Sequence, residues 1–272
     1  MSGADGAPSR AASADGGALL AVRGLCKRFG GLVAVAELDF DVRVGEILGV
    51  IGPNGAGKST TFGIVAGALA PSAGSVRFRG EEIAGLPPHE VARRGVMRTF
   101  QHNKPFAGMS VRDNILVGMH SRLASGVLTV LGGGAAADRE REAQAHADHL
   151  IESVGLGAAR HADVRTLSFG QGRLLEIARA LAGTPRLVLL DEPAAGLTAA
   201  ECERTAGIIR GMAERGIAVL LIEHDMRFLL SLAHRVVVMN FGRKIADGSP
   251  EEIRRSEAVI AAYLGERGGR RA

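Results

Sequence analysis

Eight residues near the front of the chain, Gly52-Pro53-Asn54-Gly55-Ala56-Gly57-Lys58-Ser59, have the types and spacing to hold a chain of phosphates. Their glycines let successive backbone N–H groups turn inward around an anion with no Cβ in the way. Lys58 can reach the outer phosphates, and Ser59 can place its hydroxyl on a Mg²⁺ ion bound to them. Thr60 opens a helical pattern whose free N–H groups and positive dipole end add to the attraction. The pattern G-x-x-x-x-G-K-[ST] means most between a strand and a helix. Here it follows the apolar run Ile47-Leu48-Gly49-Val50-Ile51 and precedes a helical stretch over residues 60–70.

Hydrolysis needs more than a cradle, and three further groups supply candidates. The apolar run Leu187-Val188-Leu189-Leu190 ends in Asp191-Glu192. Open α/β sheets bind ligands at such strand ends. Asp191 is expected to hold Mg²⁺, directly or through water, and Glu192 to orient or deprotonate the attacking water. A second run, Val219-Leu220-Leu221-Ile222, ends in Glu223-His224-Asp225, where His224 can hydrogen-bond the γ-phosphate or that water. Gln101 follows another strand candidate and can complete the shell of Mg²⁺ or of the water. Leu167-Ser168-Phe169-Gly170-Gln171 is a second small-residue turn at a helix start, with Ser168 as N-cap and a second anion cradle.

The elements that must carry these groups read as α/β. Alternating apolar residues over 19–51 suggest short antiparallel strands leading to the loop, with turns at Gly30-Gly31. Strand candidates follow at 75–78 and 96–100. Residues 102–165 change character: helical patterns over 111–120 and 140–154 flank a stretch, 125–137, where Gly132-Gly133-Gly134 breaks the periodicity. This looks like an inserted helical lobe, about 102–170. From Leu167 helices and strands alternate again: helix 171–182, strand 187–190, helix 199–214, strand 218–222, helix 226–233, strands 236–239 and 244–246, and one closing helix 250–264. That rhythm implies a mostly parallel sheet with helices on its faces. One domain over 19–266 is expected, with a disordered Gly/Ala/Ser-rich tail at 1–18 and a short one at 267–272.

Composition narrows the classes. The chain has 272 residues, 46% of them hydrophobic, and a formal charge of +4. Its arginines are scattered rather than gathered into a basic stripe, and the only tyrosine is Tyr263 with no tryptophan, which argues against a nucleic-acid partner. No apolar run approaches the roughly 18 residues of a membrane span, and residues 1–18 carry no apolar signal core. Cys26 and Cys202 fit neither a disulfide framework nor a metal-ligand spacing, so reduced thiols and a cytoplasmic address follow. His146 and His149, three apart on a helix, read as a solvated face.

With these residues in place, the chain resembles the ATP-binding subunit of ABC transporters over about residues 19–266. The resemblance rests on the 52–59 loop, Gln101, the 167–171 signature, Asp191-Glu192 and His224, in family order. It implies a P-loop NTPase core with an antiparallel β subdomain and an inserted helical subdomain. It implies ATP and Mg²⁺ as ligands, the metal on Ser59, Gln101 and Asp191, and a head-to-tail dimer. In that dimer Leu167, Ser168, Phe169, Gly170 and Gln171 of one subunit cover ATP on the loop of the other, and Phe29 stands against adenine. The words Arg98-Thr99-Phe100-Gln101, Asp191-Glu192-Pro193-Ala194-Ala195-Gly196-Leu197, Ile222-Glu223-His224-Asp225-Met226 and Ala262-Tyr263-Leu264-Gly265-Glu266 look like the branched-chain amino-acid importers, and within them the larger ATPase subunit. That implies a second ATPase, two membrane permeases and, indirectly, an extracytoplasmic solute-binding protein, with this chain peripheral on the cytoplasmic face of the membrane. The lipopolysaccharide-export ATPase, which shares Tyr263-Leu264-Gly265, is the runner-up, and a soluble non-transport ABC ATPase comes after it. Two departures stand out: Phe169 replaces the commoner signature glycine, and Thr198 stands where aspartate or asparagine is common.

Overall fold

A computed structural model describes residues 17–99, 105–119 and 133–268. The chain opens with β1 (Leu20–Phe29), β2 (Leu32–Val42) and β3 (Ile47–Ile51), then α1 (Lys58–Val65), β4 (Ala73–Phe78), β5 (Glu81–Glu82), α2 (Pro88–Arg93) and β6 (Val96–Arg98). Next come α3 (Val111–Gly118), α4 (Gly133–Ser153) and α5 (Phe169–Ala182). The rest runs β7 (Leu187–Asp191), α6 (Ala199–Glu214), β8 (Ala218–Ile222), α7 (Met226–Leu232), β9 (Arg235–Asn240), β10 (Arg243–Gly248), α8 (Pro250–Arg255) and α9 (Glu257–Gly268).

β3, β7 and β8 are buried at every position. Strands apolar on both faces need cover on both, which is the habit of parallel sheets. They sit inside a six-stranded sheet of order β10-β9-β3-β8-β7-β6, parallel except for β10 at one edge. Because strand side chains alternate, successive residues feed two different cores. Ile47, Ile51, Val188, Leu190, Val219 and Leu221 pack with α3 to α7 on one face. Leu48, Val50, Leu187, Leu189, Leu220 and Ile222 pack on the other face with Phe62 and Ile64 of α1 and with a second sheet, β2-β1-β4-β5. Gly49 is tied to the first face, since a Cβ there would lie 2.7 Å from Leu229 Cδ2 of α7.

Four expectations about elements need correction. The strands before β3 are long, 10 and 11 residues, because irregularities along the β1–β2 ladder let it twist without ending. The glycines at 133 and 134 do not break the lobe: α4 begins at Gly133. Each helical glycine costs about 1 kcal/mol against alanine, which is offset downstream where Ala147, Leu150 and Ile151 are buried. α5 starts at Phe169, two residues before the expected Gln171, because Ser168 is its N-cap. The closing helix is two: Ser256 turns extended, with ψ 115, ending α8 and starting α9.

Candidate functional site

The loop between β3 and α1 has the shape its glycines predict. Gly52 has φ 151 and a Cβ there would fall 2.1 Å from the Met239 carbonyl oxygen; Gly57 has φ 97 and a Cβ would fall 2.4 Å from the Ala34 oxygen. Both need glycine for conformation and for space. No side chain caps α1, so its first N–H groups are left to an anion. Lys58 is buried, and its Nζ donates to the carbonyl oxygens of Gly52 at 2.6 Å and Pro53 at 2.9 Å. The amine is thereby folded back over the loop it belongs to.

One cleft of about 310 Å³ joins most of the predicted residues: Phe29, Asn54, Gly55, Ala56, Gly57, Lys58, Ser59, Thr60, Glu192 and His224 all line it. Gly52 and Pro53 are buried behind them. Phe29 is 46% exposed, with the Lys27 ammonium 5.0 Å from its ring centre. An aromatic of that exposure at the mouth of a phosphate cleft offers a flat face to a ring.

The carboxylates arrive by strand pairing. β7 and β8 run parallel with Asp191 opposite Ile222, so Glu192 and His224 leave the sheet side by side. His224 Nε2 lies 2.7 Å from Glu192 Oε1. Glu192 has φ 51, left-handed for a bulky residue, at a cost of about 1–3 kcal/mol. Its N–H donates to the Ile222 oxygen at 2.9 Å, which helps hold that conformation. The Asp191 side chain is 1% exposed; Arg98 Nη2 donates to its Oδ2 at 2.9 Å, and its buried Oδ1 has no hydrogen-bond partner among the described residues. Asp191 does not line the cleft, but it directly precedes Glu192, which does, and a buried anionic oxygen left open there suits a hard cation such as Mg²⁺. Gln101, the third expected metal group, lies outside the described residues.

Sequence reasoning gave no role to Glu223. It is buried, accepts the Ala194 N–H at 2.7 Å and the His224 N–H at 3.2 Å, and so staples the turn after β7 to the turn after β8. Burial lifts its pKa above the ordinary carboxylate value. A carboxylate directly after a five-residue apolar strand was the available signal.

The signature segment is not in the cleft. Ser168 and Gln171 form a reciprocal cap: the Gln171 N–H donates to Ser168 Oγ and the Ser168 N–H to Gln171 Oε1. Leu167 packs against the core, while Gly170 is confined by Glu201, whose Oε1 would be 2.0 Å from a Cβ there. Phe169 is 61% exposed; Arg173 lies 5.3 Å from its ring centre, and the ring edge is 3.0 Å from where a Gly196 Cβ would be. Thr198, the other departure, caps α6 reciprocally with Glu201.

Residues 35–195 match the family model described as ABC transporter. The chain is 45% identical over 250 residues to the high-affinity branched-chain amino acid transport ATP-binding protein BraF of Pseudomonas aeruginosa, covering 91% of this chain and 98% of that one. The chain belongs to the ABC transporter family. It is an ATP-binding cassette ATPase. A second model, branched-chain amino acid ATP-binding cassette transporter, matches residues 243–268. LivG of Escherichia coli K12, whose name carries the same transport description, is 40% identical over 91% of this chain and 98% of its own. LptB of the same organism, named for lipopolysaccharide export, is 36% identical over 92% and 98%. Among solved structures, the ADP conformation of MJ1267, an ATP-binding cassette of an ABC transporter, superposes with a TM-score of 0.79 at 28% identity, covering 91% of this cassette and 99% of that one. The expected P-loop NTPase fold is therefore shown, with its antiparallel sheet and its parallel core.

Proposed function

We propose that this cassette powers the import of branched-chain amino acids or related small solutes, as one of two ATPase subunits beneath two membrane permeases fed by an extracytoplasmic binding protein. The observation that carries it is the joint one: a glycine-built phosphate cleft in a chain 45% identical to BraF along nearly its whole length, with the branched-chain model matched at 243–268. The place proposed for it is peripheral, on the cytoplasmic face, as for an ATPase beneath its permeases; no helix among the described residues is long and apolar enough to cross a membrane. Exposed Phe106 and Met109, just ahead of α3, with the Arg179 guanidinium 5.1 Å from the Phe106 ring, offer an apolar patch for a permease segment.

In this reading Phe29 stacks on adenine and the 52–60 loop holds the phosphates. The Lys58 ammonium leaves the Gly52 and Pro53 carbonyls for the outer phosphates, an exchange between two sets of acceptors of one donor. Ser59, Asp191 and Gln101 hold Mg²⁺, which when bound screens the phosphate charge. Glu192 takes the proton of the attacking water, and His224, 2.7 Å away, orients that carboxylate and reaches the γ-phosphate. The absence of Leu167, Ser168, Phe169, Gly170 and Gln171 from the cleft supports their action in trans, on ATP held by the other ATPase. ATP binding then favours the closed dimer because only there is each nucleotide contacted from both sides. The test is reconstitution: the chain should co-purify with two permeases and drive ATP-dependent uptake of leucine into vesicles. Uptake of no amino acid, with lipid exported instead, would end the importer reading.

A further inference from the structure

We propose that Arg98 is a positioning residue for the metal: it pins one oxygen of Asp191 so that the other stays aimed and open for Mg²⁺. This rests on the metal role proposed for Asp191. The carboxylate is almost wholly removed from water, 1% exposed, and a charge so placed needs a partner. Its partner comes from β6, the neighbouring strand, not from a loop. Arg98 sits opposite Leu189 in the β6–β7 ladder, and the ladder continues past it, the Thr99 N–H and hydroxyl both donating to the Leu189 oxygen at 3.0 and 3.3 Å. The guanidinium is therefore delivered by rigid sheet, and its Nη2 meets Oδ2 at 2.9 Å. With that oxygen engaged the carboxylate cannot turn freely, and Oδ1, buried and without a hydrogen-bond partner among the described residues, is the one presented to a cation. The pair engages one oxygen and, among the described residues, leaves the second without a hydrogen-bond partner at the strand end beside Glu192. Groups that orient a metal ligand from behind change metal affinity by about 10–100-fold when removed.

The test is a double-mutant cycle on the full chain, with Mn²⁺ as the probe for Mg²⁺ and its affinity in the ATP complex read by electron paramagnetic resonance. ATP affinity without metal and thermal melting are measured alongside. Arg98→Gln should weaken Mn²⁺ about 10-fold or more while metal-free ATP affinity changes less than about 2-fold. In an Asp191→Asn background the same change should have no further effect on Mn²⁺, since its route is gone. Arg98→Lys, which keeps the charge and loses the fork, should fall between wild type and Arg98→Gln, and it decides the matter if the glutamine variant does not fold. Wild-type Mn²⁺ affinity in the Arg98 variants, with Asp191→Asn weakened, overturns the role of Arg98 alone. Wild-type affinity in Asp191→Asn overturns the metal role as well. Equal losses of Mn²⁺ and of metal-free ATP mark general damage and also overturn the proposal.

Discussion

His224 Nε2 and Glu192 Oε1 stand 2.7 Å apart although 32 positions separate them in the chain, because parallel pairing sets Asp191 opposite Ile222 and each side chain leaves its strand end just beyond. Two groups at hydrogen-bond distance over a phosphate cleft are expected to act as a unit, which makes their removals non-additive. Glu192→Gln should bind ATP, hold the dimer closed and hydrolyse about 10²–10⁴-fold more slowly. His224→Ala should lose turnover on a similar scale, and the double variant should lose little more than the worse single one. Phosphate release and ATP-dependent dimerisation on a sizing column read both; full turnover by Glu192→Gln would remove it from the role of base.

Lys58→Ala removes a charge-assisted donor, worth about 1.5–3 kcal/mol, so nucleotide affinity should fall about 10- to 150-fold. Its two present acceptors, the oxygens of Gly52 and Pro53, lose their partner too. Fluorescent ATP binding measures the first effect, and urea denaturation will show whether the loop also loosens. Unchanged affinity would contradict the phosphate role.

Two glycines of one loop should differ sharply. Gly52→Ala drives a methyl to 2.1 Å from a backbone oxygen, Met239 O, and should cost at least about 2 kcal/mol together with nucleotide binding. Gly55→Ala, at φ 78 with open space around it, meets only the left-handed penalty of about 1–2 kcal/mol. Equal costs in urea melts would refute the steric argument.

Burial raises the pKa of Glu223 above its ordinary 4.5, so between the unfolded and folded values the folded state holds a proton that the unfolded chain has already released. The sign follows from that. Its contribution is most favourable below about pH 4.5 and is lost as pH rises through the raised folded value. Glu223→Gln should therefore flatten the stability profile just above pH 4.5 while keeping one acceptor for the Ala194 N–H. Chemical denaturation of both proteins across pH 4 to 8 checks it; parallel curves would show that burial has not shifted this group.

Much of the site was legible because its residues carry local signals. The 52–59 loop, Asp191-Glu192 and His224 each sit where an apolar strand stops, and a strand stop is visible in the chain. Arg98 carried no signal outside a longer family word, and Glu223 none beyond its place at a strand end, since what they do depends on partners 93 and 29 positions away, Asp191 and Ala194. Helix limits failed where burial further along a helix outweighed its first residues, as for the helix opening at Gly133, which buries Ala147 and Ile151, or where a single residue turned extended, as at Ser256. The partition of β3, β7 and β8 into two cores was implicit in their apolar runs but needed the sheet to say which helix met which residue.

The ring of Phe169 leans on Gly196, four residues past Glu192 on the same turn that Glu223 staples through Ala194. Under the proposed roles, the segment offered outward and the strand end that carries Glu192 act as one lever with two working ends. Pressure on the exposed ring from a neighbouring subunit would arrive, through the four residues of that turn, at the carboxylate proposed to handle water. Two such levers laid head to tail would give each nucleotide a means of sensing the other, with no relay through the membrane.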